Sequence, residues 1–189
     1  HLLAVGRRLM AQKGFASVGL AELLAQAGVP KGSFYHYFAS KEQFGEALIA
    51  EYGSEYAQRL DDLLCHSAAD GYSRLMNYWQ AWQEAQQSED MMHRCLVVKL
   101  SGEVADLSEP MRLALLHGCT HVIDRLRQCI QAGQQDGSIH PQLDANQTAS
   151  ALYALWIGAS LMTKLGQNHM ALSHAMQHTQ QLLAPPAAG

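Results

Sequence analysis

The sequence predicts an all-α protein, and three observations carry that prediction. Apolar residues return at three- and four-residue intervals along most of the 189-residue chain, the period of a helix with one buried face. Glycine, proline and short polar residues fall between these stretches, where helices start and stop. Runs that alternate apolar with polar, the mark of half-buried strands, are nearly absent.

The elements follow in order. Leu2, Leu3, Leu9, Met10 and the aliphatic stem of Lys13 make a helical stripe that stops at Gly14. Ser17 is placed to cap the next helix, in which Leu20, Leu23, Leu24 and Ala27 repeat before Gly28. Val29-Pro30 interrupts, because a residue ahead of proline is pushed out of helical angles. A short helix is expected from about Lys31 to Tyr37. Ser40 then reads as an N-cap, with Gln43 completing a capping box. From there a long helix runs to about Cys65, with Phe44, Leu48, Ile49, Tyr52, Tyr56 and Leu60 on its apolar side. Asp70-Gly71 precedes a helix carrying Tyr72, Leu75, Met76, Trp79 and Trp82, and a short helix spans about Cys95 to Val104. Ser108-Glu109-Pro110 opens another, with proline in the first turn where its missing N–H costs nothing; it runs to about Gly133. After Asp136-Gly137 and Pro141, Asp144 caps a helix through Leu165 to Gly166. A last helix from near Asn168 ends at Ala184-Pro185-Pro186.

Composition narrows the class. Apolar residues make up 48% of the chain, enough for a packed core, and no run of about 18 consecutive apolar residues is present to cross a bilayer. The first residues lack the unbroken apolar stretch and cleavage site of a signal peptide, so a cytoplasmic location is expected. The chain opens on His1 inside a helical pattern, so a short further segment is expected ahead of it. Cys65, Cys95, Cys119 and Cys129 form no CxxC pair and have no His or Asp at ligand spacing. Free thiols and no metal are therefore expected, three of the four as buried small hydrophobes. His117 with His121, and His174 with His178, are helical pairs that lack a third ligand and read as solvated faces. The net charge of −4 is unevenly spread. Residues 1–50 hold five basic and three acidic groups, a balance of +2, and the remaining eight basic and fourteen acidic groups balance at −6. A mildly basic head on an acidic body suits a nucleic-acid contact confined to the head.

Leu20 to Phe38 reads as helix, glycine turn, short helix. A helix-turn-helix needs small residues where its helices cross, a tight turn, and a second helix with a polar outer face. Ala21 and Ala25 are small, Gly28 makes the turn, and Val29, Phe34 and Phe38 are assigned inward. Lys31, Ser33, Tyr35 and His36 remain outward. Tyr35, His36 and Tyr37 are polar-tipped aromatics clustered with lysines on a very short helix, which makes them poor core material. The stretch Gly28 to Glu42, with its short basic helix, paired aromatics and Ser-Lys-Glu opening the next helix, resembles the TetR family of regulators. Gly14-Phe15 through Leu20 also fits. The resemblance implies a helix-turn-helix DNA-binding domain over residues 1–46 and a helical effector-sensing and dimerisation domain over residues 47–189. It places Lys31, Gly32, Ser33, Tyr35 and His36 in or beside the major groove and makes Ser17, Tyr35, Tyr37 and Lys41 phosphate anchors. Base contacts would specify sequence and phosphate contacts would fix register.

A narrower resemblance lies in the body. Cys95 to Arg112 and Leu152 to Lys164 resemble a branch of the same family whose members leave DNA when a cysteine is modified by quinones, aldehydes or hypochlorous acid. It implies Cys95 as the sensing thiol and Lys164 as its partner. The chemistry suits those roles, since the thiolate is the nucleophile and a nearby ammonium lowers its pKa. Arg94 and Lys99 flank Cys95, and Lys164 sits in an otherwise apolar helix where burial would press it toward the neutral amine. Ala105 stands where that branch carries a second cysteine, so a disulfide between those two positions is impossible. Trp79, Trp82, Tyr153 and Trp156 are candidates to line a pocket for an apolar ligand, although aromatics at helical spacing also build cores. Ala149, Ala151, Ala154, Gly158 and Ala159 would let another helix approach closely, and this helix with the last one is expected to form a four-helix homodimer interface.

The expectation is a dimeric repressor of double-stranded operator DNA, with no cofactor and no membrane partner, released by a small electrophile at Cys95. Two alternatives stay open. One is release by a non-covalently bound apolar molecule. The other is a thiol-dependent enzyme using Cys95, for which no His-Asp or His-Asn partner, phosphate loop or metal motif is recognisable.

Overall fold

A computed structural model describes residues 1–65, 68–87 and 96–185. Among them run nine helices and no strand: α1 (Leu2–Lys13), α2 (Leu20–Ala27), α3 (Lys31–Tyr37), α4 (Lys41–Leu64), α5 (Gly71–Gln87), α6 (Leu96–Leu107), α7 (Glu109–Asp136), α8 (Ala145–Gly166) and α9 (Met170–Leu183). Among the described residues, no helix is long and apolar enough to cross a membrane. The chain falls into two compact units, His1–Glu55 with Ser88–Gly118, and Tyr56–Gln87 with Cys119–Gly189. The sequence suggested one division, between residues 46 and 47. In the structure α6 and the start of α7 cluster with the N-terminal helices, and α6 packs against α1.

In the first unit, α1 buries Val5, Gly6, Leu9 and Met10. Leu2 and Leu3 are only half-buried, and Lys13 leaves the stripe, exposed, to pair with Glu22. A Cβ on Gly6 would fall 2.5 Å from Cζ of Phe44, so the Phe44 ring of α4 packs directly on the backbone of α1 at that point. Ala21 and Ala25, expected where the helices cross, are exposed, and the buried alanine of α2 is Ala27. Ser17 does not cap α2. That helix starts later, from an extended Gly19 with no side-chain cap, because the fully buried Val18 belongs to the turn. Gly28 closes α2 with φ +63°, which glycine adopts without a Cβ clash, and the Val29 N–H returns to the Leu24 carbonyl at 3.0 Å. Pro30, extended, is the N-cap of α3, so Gly28 to Pro30 make the turn. At the head of α4, Ser40 Oγ accepts the Gln43 N–H at 3.2 Å, as the capping pattern required. Gln43 Oε1 reaches back to the Ala39 N–H, one residue earlier than a reciprocal capping box would place it.

In the second unit, Asp70 Oδ1 caps α5 by accepting the Ser73 N–H at 2.7 Å. The Gly71 and Tyr72 amides donate to Asp136 Oδ2 at 2.9 Å and Ser138 Oγ at 3.1 Å, which ties the start of α5 to the end of α7. Here backbone meets backbone, and a Cβ on Gly71 would lie 2.4 Å from the Gly133 Cα. The glycine at 133 therefore serves a helix crossing and does not stop α7, which continues to Asp136. Gly137, at φ +82°, then turns the chain. Asp144 caps α8 as expected, accepting the Gln147 N–H at 3.0 Å. The core of this unit is an aromatic stack. Trp79 lies on Trp156 with centroids 4.6 Å apart and planes 11° from parallel. Trp82 Nε1 donates to Ser160 Oγ at 2.9 Å, and Trp156 Nε1 to Thr179 Oγ1 at 3.0 Å.

The two kinds of glycine separate in a stability measurement. Gly71→Ala forces a methyl group into peptide backbone and should lower the unfolding free energy by about 1–3 kcal/mol in urea denaturation. Gly102→Ala, at an exposed position of α6 with nothing within 4 Å, should raise it by up to about 1 kcal/mol.

Candidate nucleic-acid interface and sensing residues

The short helix α3 carries one buried residue, Phe34, wholly excluded from solvent. Its ring packs on Phe38 and Phe44 at centroid separations of 5.4 and 5.8 Å. Phe38 is half-buried and closes the triangle with Phe44 at 5.1 Å. Val29 is also only half-buried. With Phe34 fixing the rotation of the helix, Lys31, Gly32, Ser33, Tyr35, His36 and Tyr37 all face outward. Tyr35 is 49% and Tyr37 73% exposed, far more than packing aromatics would be. Lys31 Nζ stands 5.9 Å over the Tyr35 ring, and the His36 and Tyr37 rings meet edge to face at 4.9 Å. Nothing lies within 4 Å of where a Gly32 Cβ would be, so a partner can approach the backbone there. The surface is cationic, hydroxyl-bearing and aromatic, which suits hydrogen bonding to phosphates and base edges.

Ser17 is exposed in the α1–α2 turn, while Lys41 is only partly exposed. Lys41 Nζ donates to the Phe15 carbonyl at 2.7 Å and lies 4.3 Å over the Phe15 ring. Burial pulls its pKa below the usual lysine value, and the charges of Glu42 and Glu103 oppose that pull. Glu42 itself is held below the ordinary glutamate range by its own backbone N–H and by the Ser40 hydroxyl at the head of α4. The turn has a further partner that the sequence does not announce. Glu103, on α6, accepts the Phe15 N–H at 2.8 Å through Oε2 and the Ala16 N–H through Oε1. An acidic residue 88 positions away on a helix surface carries no local sign of this interaction.

Of the two sensing residues, Cys95 lies outside the described residues. Lys164 is exposed near the end of α8, where burial had been expected. The other thiols differ from one another. Cys65 is exposed, Cys119 half-buried and Cys129 buried, so one of these three is the buried small hydrophobe anticipated. Burial raises the Cys119 thiol pKa against a hydrogen bond from the Tyr153 hydroxyl at 3.6 Å. Burial pushes Cys129 up to about 11, and its Sγ donates to the Gly71 carbonyl at 3.5 Å. The pocket candidates Trp79, Trp82, Tyr153 and Trp156 are all buried and pack on one another, with Trp82 edge-on to Tyr153 at 6.1 Å. A cavity of about 410 Å³ lies elsewhere in that unit, between α5 and α9, lined by Met76, Gln80, Gln83, Glu84, Met176 and Gln180.

Comparison with known proteins decides the family. Residues 2–48 match "Bacterial regulatory proteins, tetR family", and residues 71–179 match "Tetracyclin repressor-like, C-terminal domain". The chain belongs to the TetR family. It is 42% identical over 187 residues to the transcriptional repressor NemR of Escherichia coli K12, covering 99% of this chain and 94% of that one. It is 31% identical to the transcriptional repressor DhaR of Mycobacterium sp. GP1, covering 98% and 91%. The crystal structure of reduced E. coli NemR superposes with a TM-score of 0.94 at 42% identity, covering 100% of this chain and 97% of that chain. The TetR N-terminal match contains α1 to α3 and the start of α4, and with them every candidate DNA-contacting residue.

The ordering of the described thiols in this TetR-family regulator is open to direct measurement. Iodoacetamide on the native protein at pH 8 should label Cys65 while leaving Cys119 and Cys129 largely unmodified, with all three labelled after unfolding. Peptide mass mapping reads the pattern, and rapid native labelling of Cys129 would contradict its burial.

Proposed function

We propose that this protein is a dimeric repressor that binds operator DNA through α3 and leaves it when Cys95 is modified by a reactive electrophile. The observation that carries the DNA-binding part is the outward face of α3, where six of seven residues are exposed around one buried phenylalanine. Lys31, Gly32, Ser33, Tyr35 and His36 are the base-reading and groove-lining residues, and Ser17, Tyr35, Tyr37 and Lys41 hold phosphates. Identity at the 42% level to the repressor NemR over nearly the whole chain supports repression as the outcome.

Thiol sensing rests on residue chemistry and on that likeness. Arg94 adjoins Cys95 in sequence and Lys99 follows one turn later, both favouring a thiolate. The thiolate adds to the electron-poor carbon of an α,β-unsaturated carbonyl. A sulfur–carbon bond forms, the π pair moves to the carbonyl oxygen, and the neighbouring carbon takes up a proton. Lys164 supplies the amine partner. Release by a reversible apolar ligand has less support, because the aromatic residues that would line its pocket fill that space with one another.

Dimerisation is supported by α8. Ala154, Leu155, Gly158, Leu161, Met162 and Leu165 are exposed at helical spacing, and Leu165 is 69% exposed. An uninterrupted apolar stripe along a helix favours cover by a second copy, whose two-fold symmetry would pair the stripe with itself. Ala149 and Ala159 face their own core instead. The change would act as a population shift, with the modified protein favouring head spacings that no longer match two half-sites about 34–36 Å apart.

Two experiments test this reading. Binding of the reduced protein to its own upstream DNA should weaken steeply with salt and should be abolished by stoichiometric N-ethylmaleimide, whereas Cys95→Ser should bind and stay bound. Release of both proteins would exclude Cys95 as the sensor, and failure of untreated protein to bind any duplex would end the DNA-binding reading. In sedimentation velocity, wild type should run at the mass of two chains and Leu161→Glu at the mass of one, with operator affinity falling in parallel.

A further inference from the structure

We infer that Glu103 is a positioning residue for DNA binding: reaching from α6, its carboxylate holds the α1–α2 turn in the shape that presents Ser17 and Lys41 to the DNA backbone. The inference rests on the reading of Ser17 and Lys41 as phosphate anchors. Phe15 is held from three sides. Its N–H goes to Glu103 Oε2 at 2.8 Å, its carbonyl accepts from Lys41 Nζ at 2.7 Å, and its ring is 1% exposed beneath the same ammonium. The next N–H, of Ala16, takes the other carboxylate oxygen, and Ser17 follows directly. Two successive amides can share one carboxylate because Gly14, at φ +86°, turns the chain so that they converge. A Cβ on Gly14 would lie 2.8 Å from Glu103 Oε2, so the turn is fitted closely to this side chain.

The far end of α6 is also fastened within the same unit. The Leu96 N–H donates to the Tyr52 hydroxyl at 3.4 Å, and the Arg7 guanidinium lies 5.9 Å over the Tyr52 ring while pairing with Glu55. Thus α6 is tied near its start to Tyr52 of α4 and further along to the turn that carries Ser17.

Charge and position make opposite predictions, which renders the inference testable. A carboxylate in the basic head repels DNA, so if charge were its whole effect, removing it would tighten binding. If Glu103 positions the turn, removing it weakens binding. Fluorescence anisotropy on the intact protein with its upstream DNA, across a salt series, should show Glu103→Ala about tenfold or more weaker than wild type. The slope of log affinity against log salt should be shallower by about 0.9, the change expected when one fewer phosphate is neutralised. Glu103→Gln, which keeps one acceptor, should fall between, and the loss should shrink when Glu103→Ala is combined with Lys41→Ala. Amide exchange should quicken at Phe15 and Ala16 while Leu23 and Leu24 stay protected. Unchanged or tighter binding by Glu103→Ala, a loss fully additive with Lys41→Ala, or collapse of protection through α2 would each overturn the inference. Wild-type binding by both Ser17→Ala and Lys41→Ala would sink the phosphate-anchor reading and this inference with it, whereas wild-type binding by Glu103→Ala alone sinks only the inference.

Discussion

The outward face of α3 depends on one buried ring. A seven-residue helix is too short to be stable by its own hydrogen bonds. It persists here because Phe34 is driven fully into the cluster with Phe38 and Phe44, burial of a kind worth roughly 1.5–3 kcal/mol for a large apolar side chain. That single anchor sets the helix rotation, and rotation decides which side chains of α3 face outward. Gly6 contributes from below by letting α1 come close enough to α4 to back the Phe44 ring. A packing constraint two helices away therefore controls the presentation of Lys31, Ser33 and Tyr35.

What was legible in the sequence is what depends on near neighbours. Gly28 ends α2 because α3 begins only three residues later, and its left-handed conformation is a local demand. The Ser40 and Asp144 caps were equally readable, each needing only an amide three residues on. Ser17 was misread because any serine ahead of an apolar repeat looks like a cap, whereas the burial of Val18 delays α2. Gly133 was misread as a stop because its reason, the backbone of Gly71, comes from another helix. Glu103 was invisible for the same reason at greater sequence distance: an acid on a helix face ordinarily means solvent.

The candidate sites divide along the same line. Every α3 residue expected outward is outward, since a short helix with one apolar anchor leaves little choice. The body was harder to read, because aromatic residues at helical spacing serve a pocket or a core equally well. Trp79 and Trp156 stack nearly parallel, and the indole N–H groups of Trp82 and Trp156 are satisfied by Ser160 and Thr179 on α8 and α9. Those polar partners offset the cost of burying the Trp82 and Trp156 N–H groups, and no pattern of apolar residues alone reveals them.

Gly14 and Glu103 are matched across the chain: the glycine gives the turn its left-handed bend, and the carboxylate fills the space that a side chain at position 14 would take. Neither can drift alone without cost. A replacement at 14 would both strain the backbone and crowd the carboxylate, and an apolar residue at 103 would take away the acceptor of the Phe15 and Ala16 amides. Over evolutionary time such a pair behaves as one heritable character, so a lineage that abandons the glycine should have abandoned the acid as well and found another way to hold the turn.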